Sequence, residues 1–71
     1  MMTEKSREII SKNLKKARSA KGWTQVELAK KADINSNYYA KIERGDINPS
    51  YETFEKIFRA LGVKSKDIFP V

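Results

Sequence analysis

Asn35-Ser36-Asn37-Tyr38-Tyr39-Ala40-Lys41-Ile42, set inside the longer stretch Thr24 to Gly45, is the segment that decides the fold. Asn35 is a natural N-cap, because its side-chain oxygen can accept an amide left free at a helix start. A helix begun there carries Tyr39 and Ile42 inward at i, i+3 spacing and leaves Ser36, Asn37, Ala40 and Lys41 on another face. Glu43-Arg44-Gly45 ends it, with Gly45 free to take the left-handed cap. The leading edge of this helix is polar and uncharged, on a chain that is otherwise strongly basic.

On its N-terminal side, Thr24-Gln25-Val26-Glu27 fits a capping box, in which the Thr hydroxyl and the Glu carboxylate each cap the other's amide. The helix this opens runs through Leu28, Ala29 and Ala32, apolar on one side, and ends near Ala32–Asp33 with Ile34 closing the turn. Further upstream, Ile10, Leu14 and Ala17 recur at i, i+4, i+7 among lysines and predict an amphipathic helix over about residues 4–20. Gly22 stops that helix, Lys21 suits its negative end, and Trp23 reads as a core residue in the connection.

Downstream, Asp46-Ile47-Asn48-Pro49 reads as a loop, and Ser50 caps a fourth helix. Its apolar stripe is Tyr51, Phe54, Ile57, Phe58 and Leu61, and Gly62 ends it. Ser65 begins a last short turn through Asp67, Ile68 and Phe69, closed by Pro70. No period-2 alternation occurs, so the expected fold is all-α: a single domain over residues 1–71, a compact bundle of about five short helices.

Seventy-one residues bury only about 60% of the unfolded surface, so the core is small. With no Cys and no His, the chain lacks disulfides, thiolate ligands, the commonest general base and the commonest metal ligand. It also has no glycine-rich phosphate loop and no clustered carboxylates, which leaves an enzyme nothing to work with; no cofactor, metal or small-molecule effector is expected. The net charge is +6, and from Lys12 to Lys31 seven basic residues accompany the single acid Glu27. Such an excess favours an anionic partner but does not choose among nucleic acid, membrane and acidic protein. No apolar run approaches the roughly 20 residues of a membrane span and no signal peptide is visible, so the expectation is a soluble cytoplasmic domain without a membrane partner.

Two short helices joined by a tight turn, the second with an exposed polar face, form a helix-turn-helix, here at about residues 24–44. The run Trp23-Thr24-Gln25-Val26-Glu27-Leu28-Ala29, then Ile34, Ile42-Glu43-Arg44-Gly45, Asn48-Pro49-Ser50 and Ala60-Leu61-Gly62-Val63 resembles the phage repressor/Cro-like family, also called the Xre family. The likeness spans roughly residues 9 to 69 and implies a lambda repressor-like DNA-binding domain. Small size and basic charge also resemble the controller proteins of restriction–modification systems.

The resemblance implies a transcriptional regulator that places its recognition helix, about residues 35–43, in the major groove of double-stranded DNA. Ser36, Asn37, Ala40 and Lys41 occupy the base-contacting positions, and their chemistry suits them. Asn can pair bidentately with adenine, Lys can donate to guanine, Ser can bond either way, and Ala can touch a thymine methyl. Gln25, Tyr38, Arg44, Asn48 and Ser50 fall at positions that meet the sugar–phosphate backbone, with Lys15 in the basic flank as a further backbone contact. Gln25 begins a helix, where free amides favour an anion. Tyr38 departs from the small residue often found at its position, and Val26 from a polar one. Arg18 and Glu43 correspond to an ion pair tying the first helix to the end of the recognition helix.

Phe58, Val63, Ile68, Phe69 and Val71 exceed what so small a core needs. Either they cover its open end, or residues 62–71 with Phe58 form a dimerisation patch. A homodimer would place two recognition helices on a twofold-symmetric operator. The competing reading is a helix-turn-helix adaptor or antitoxin-like partner that has given up DNA. Gln25, Asn37, Lys41 and the basic flank argue against it, since an adaptor has no need of them.

Overall fold

Thr3 opens the first helix: its hydroxyl accepts the Ser6 amide at 3.0 Å, and α1 (Glu4–Ala20) follows. The computed structural model describes residues 3–70. Gly22, at φ 74°, turns the chain out of α1 through the left-handed region that a side chain disfavours. Thr24 then caps α2 (Gln25–Ala32) with the full capping box: Glu27 N–H donates to the Thr24 hydroxyl at 3.1 Å, and Thr24 N–H donates to Glu27 Oε1 at 2.8 Å. α3 (Ser36–Glu43), α4 (Tyr51–Leu61) and the four-residue α5 (Ser65–Ile68) complete an all-helical chain, with no strand among the described residues.

The turn between α2 and α3 is three residues long. Asp33 takes the left-handed conformation at φ 58°, and Ile34 N–H returns to Ala29 O at 2.9 Å. Those bonds satisfy the last carbonyls of α2 and aim the chain into α3 at once. Asn35 caps α3 by accepting the Tyr38 amide at 3.1 Å, and Ser50 caps α4 by accepting the Thr53 amide at 3.1 Å.

α2 packs against α3 and α4, and α1 against α3 and α5, so each contributes its apolar face to one core. Ile10, Leu14, Leu28, Ala29, Ala32, Tyr39, Ile42, Phe54, Ile57, Phe58, Leu61 and Ile68 are buried in it. Ala29 and Ala32 let α2 approach closely enough for the large residues of α4 to close over them. The C-terminal end is pinned to α1, where Asn13 Nδ2 donates to Ile68 O at 2.7 Å.

Three positions differ from the sequence reading. Tyr51 is not part of the apolar stripe of α4; it is 74% exposed. As the first residue of the helix it lies at the rim of a surface groove with Ser6, Pro49 and Pro70. Trp23 is half-buried, and the ammonium groups of Lys21 and Lys31 stand 5.8 and 4.9 Å from its ring centre.

The third concerns the surplus apolar residues proposed for dimerisation. Phe58 and Ile68 belong to the protomer's own core, and only Val63 and Phe69 retain partial exposure. The cause is Phe69, which stands edge-on to Phe54 and Phe58 at 5.0 and 5.5 Å and closes the open end of the bundle. Val71 lies outside the described residues.

Candidate nucleic-acid interface

The outer face of α3 carries Asn37 and Lys41 exposed, with Ser36 and Ala40 half-buried beside them. These four share a face because α3 commits Tyr39, Ile42 and Glu43 to the interior. Tyr38 is half-buried against the core's edge. Asn35 spends its side-chain oxygen on the cap, which separates it by role from Asn37.

Glu43 holds this helix in place and is the one buried charged residue among those described, at 6% exposure. A carboxylate can accept about four hydrogen bonds, and this one does. Arg18 Nε donates to Oε2 and Arg18 Nη2 to Oε1, both at 2.9 Å; Tyr39 Oη donates to Oε2 at 2.6 Å; Gln25 Nε2 donates to Oε1 at 3.2 Å. Arg18 also donates from Nη1 to the Trp23 carbonyl, and the Ser11 hydroxyl donates to the Glu43 carbonyl.

The electrostatics follow from that geometry. Burial pushes the Glu43 carboxyl up, but the bonds from Arg18, Tyr39 and Gln25 outweigh it and hold it below the usual carboxylate range. Arg18 is shifted upward, chiefly by its hydrogen bond to Glu43. The Tyr39 hydroxyl is pushed well up, first by burial and then by donating to Glu43. At neutral pH the centre is therefore an ionised pair with a neutral phenol. It joins α1, the start of α2 and the end of α3.

The positions read as backbone contacts spread around this helix. Gln25 is half-buried, and one of its amide hydrogens is already engaged by Glu43, leaving the other and the first amides of α2 for an anion. Arg44, Asn48 and Ser50 are exposed on the segment after α3, with Ser50 also serving as the α4 cap. Arg44 is ion-paired to Asp46 at 2.9 Å. Lys15 is exposed on α1, and no hydrogen bond or ion pair joins it to the others. Among the described residues no group of His, Cys, Asp or Glu is placed to hold a metal.

Sequence reasoning missed the part played here by Ser11, Asp46 and the hydroxyl of Tyr39. Tyr39 and Glu43 are four apart on one helix, a spacing that was readable. The Ser11 bond to Glu43 spans 32 residues of sequence and had no local signal.

A family model described as Helix-turn-helix matches residues 14–68, the segment that runs from the middle of α1 to the end of α5. The chain belongs to the Xre-like helix-turn-helix family.

Within that family it is 37% identical over 68 residues to the control protein C.BamHI of Bacillus amyloliquefaciens, covering 94% of this chain and 84% of that one. It is 40% identical over 55 residues to the immunity repressor of Bacillus phage phi105, covering 78% of this chain but only 38% of the repressor's length. Among solved structures it resembles the restriction–modification controller protein C.AhdI of Aeromonas hydrophila, with a TM-score of 0.85 at 28% identity over 89% of this chain and 96% of that chain. No helix among the described residues is long and apolar enough to cross a membrane.

Proposed function

We propose that this chain is a sequence-specific regulator of transcription that binds double-stranded DNA, in line with the helix-turn-helix relatives named as repressors and controller proteins. The observation that carries the reading is an eight-residue recognition helix whose exposed face is polar and whose buried end is locked by Glu43. A helix of that length is about 12 Å long, which suits the major groove. Asn37, Lys41 and Ser36 then face base edges, with Ala40 beside a thymine methyl. Gln25, Tyr38, Arg44, Asn48, Ser50 and Lys15 hold phosphates and set the register.

Two copies act on one site. The domain's longest extent is 27 Å, and successive major-groove faces on one side of the duplex are about 34–36 Å apart. One protomer therefore reads one half-site, and Val63 and Phe69 are the remaining partly exposed apolar residues at the end that would meet a partner. Selection of bound duplexes from a random pool tests this. Recovered sites should be inverted repeats with half-site centres about 10–10.5 base pairs apart. Recovery of no common sequence would refute the proposal.

A further inference from the structure

The segment after α3 carries a feature that opposes its own attraction to DNA. Arg44 Nε donates to Asp46 Oδ2 at 2.9 Å, across Gly45, whose φ of 78° turns the chain so that the two side chains meet. Both side chains face solvent, at 60% and 53% exposure. Glu4 and Glu8, from the first turns of α1, line the same surface hollow with Arg44, Gly45 and Asp46. This corner therefore holds three carboxylates and one guanidinium, beside the proposed backbone-contacting loop of a protein whose net charge is +6.

We infer that Asp46 sets the strength of DNA binding by competing with phosphate for Arg44, an inference that rests on the DNA-binding reading above. A guanidinium offers five donors in a planar fork. If Arg44 meets a phosphate through its Nε edge, the ion pair with Asp46 must open, and Asp46 loses its partner in a hollow that Glu4 and Glu8 also line. If it meets the phosphate through its two terminal nitrogens, the Asp46 carboxylate travels with it towards the duplex and is repelled. Both routes cost affinity, and neither depends on base sequence. Asp46 thus weakens operator and random DNA by the same factor, which limits how much protein non-operator DNA retains.

The test is anisotropy of a labelled random-sequence duplex across a salt series, with the wild type, Asp46→Asn, Arg44→Ala and the double variant, all checked for helicity by circular dichroism. Asp46→Asn should tighten binding by about two- to fivefold, the scale of one exposed ion pair. Its log–log salt slope should steepen by up to about 0.9. The gain should vanish in the Arg44→Ala background. Unchanged or weaker binding by Asp46→Asn, or a full gain without Arg44, overturns the inference alone. A folded wild type that binds no duplex at all overturns the DNA-binding reading, and this inference with it.

Discussion

At the scale of single residues, Glu43 and Asn37 make opposite demands on the chain. Glu43 is buried with four donors, so removing one strong partner leaves a charge without compensation. Arg18→Ala should lower unfolding free energy by about 3–5 kcal/mol in urea titrations, far above the ~0–1 kcal/mol of an exposed pair. Replacing the exposed Arg44→Ala should change stability by less than about 1 kcal/mol, since its pair with Asp46 is solvated. Asn37→Ala should leave stability nearly unchanged, because the side chain is exposed and Asn35 holds the cap. It should cost about 1–3 kcal/mol of DNA binding at particular base pairs, seen as lost discrimination across single-substitution operators. Equal weakening on operator and random DNA would show that Asn37 reads no base.

At the scale of elements, the turn from α2 to α3 sets the angle of the recognition helix. Its Asp33 occupies a left-handed conformation that a side chain tolerates at a cost, and glycine would remove that cost. Asp33→Gly removes about 1–2 kcal/mol of left-handed strain against about 0.4–1 kcal/mol of added unfolded-chain entropy, so thermal or denaturant melts should show a net gain of about 0–1 kcal/mol, with binding unchanged. Thr24→Ala, which breaks the capping box at the start of α2, should cost about 1 kcal/mol. Most of these local features were legible in the sequence: the caps at Thr24, Asn35 and Ser50, and the terminations at Gly22, Gly45 and Gly62, depend on neighbours a few residues away. Tyr51 was not. Its spacing from Phe54 places it on the stripe, but at the first position of α4 it lies at a groove rim and stays 74% exposed.

At the scale of the whole molecule, pH dependence follows from the buried centre. Glu43 has a folded-state pKa below its unfolded value, so its contribution to stability is present above about pH 4.3 and is lost as pH falls through the folded value. Tyr39 is shifted the other way, so its contribution is complete below about pH 10 and declines as pH rises beyond that, towards the folded value. Thermal melts across pH should show a plateau between those limits. Tyr39→Phe should flatten the alkaline side and, by removing one donor, narrow the margin on the acid side. The surplus apolar residues also resolve only at this scale. Phe58 and Ile68 are claimed by the core once Phe69 folds over it, which leaves Val63 and Phe69 as the partly exposed members of that set among the described residues.

The sequence by itself determined about where each helix starts and stops, which face of each is apolar apart from Tyr51 on α4, and which polar side chains are left on the outside of α3. Those properties follow from spacing and capping, which act over at most a few residues. Tertiary structure alone decided that Gln25, Arg18 and Tyr39 converge on one carboxylate, that Ser11 reaches the carbonyl of Glu43, and that Asp46 holds Arg44 beside Glu4 and Glu8. These groups come from helices and loops whose relative placement is set by the packing of the core. Arg18 and Glu43 show the division best. Resemblance to a family could name the two residues, but only the packing of α1 against α3 turns two charges 25 positions apart into a buried pair.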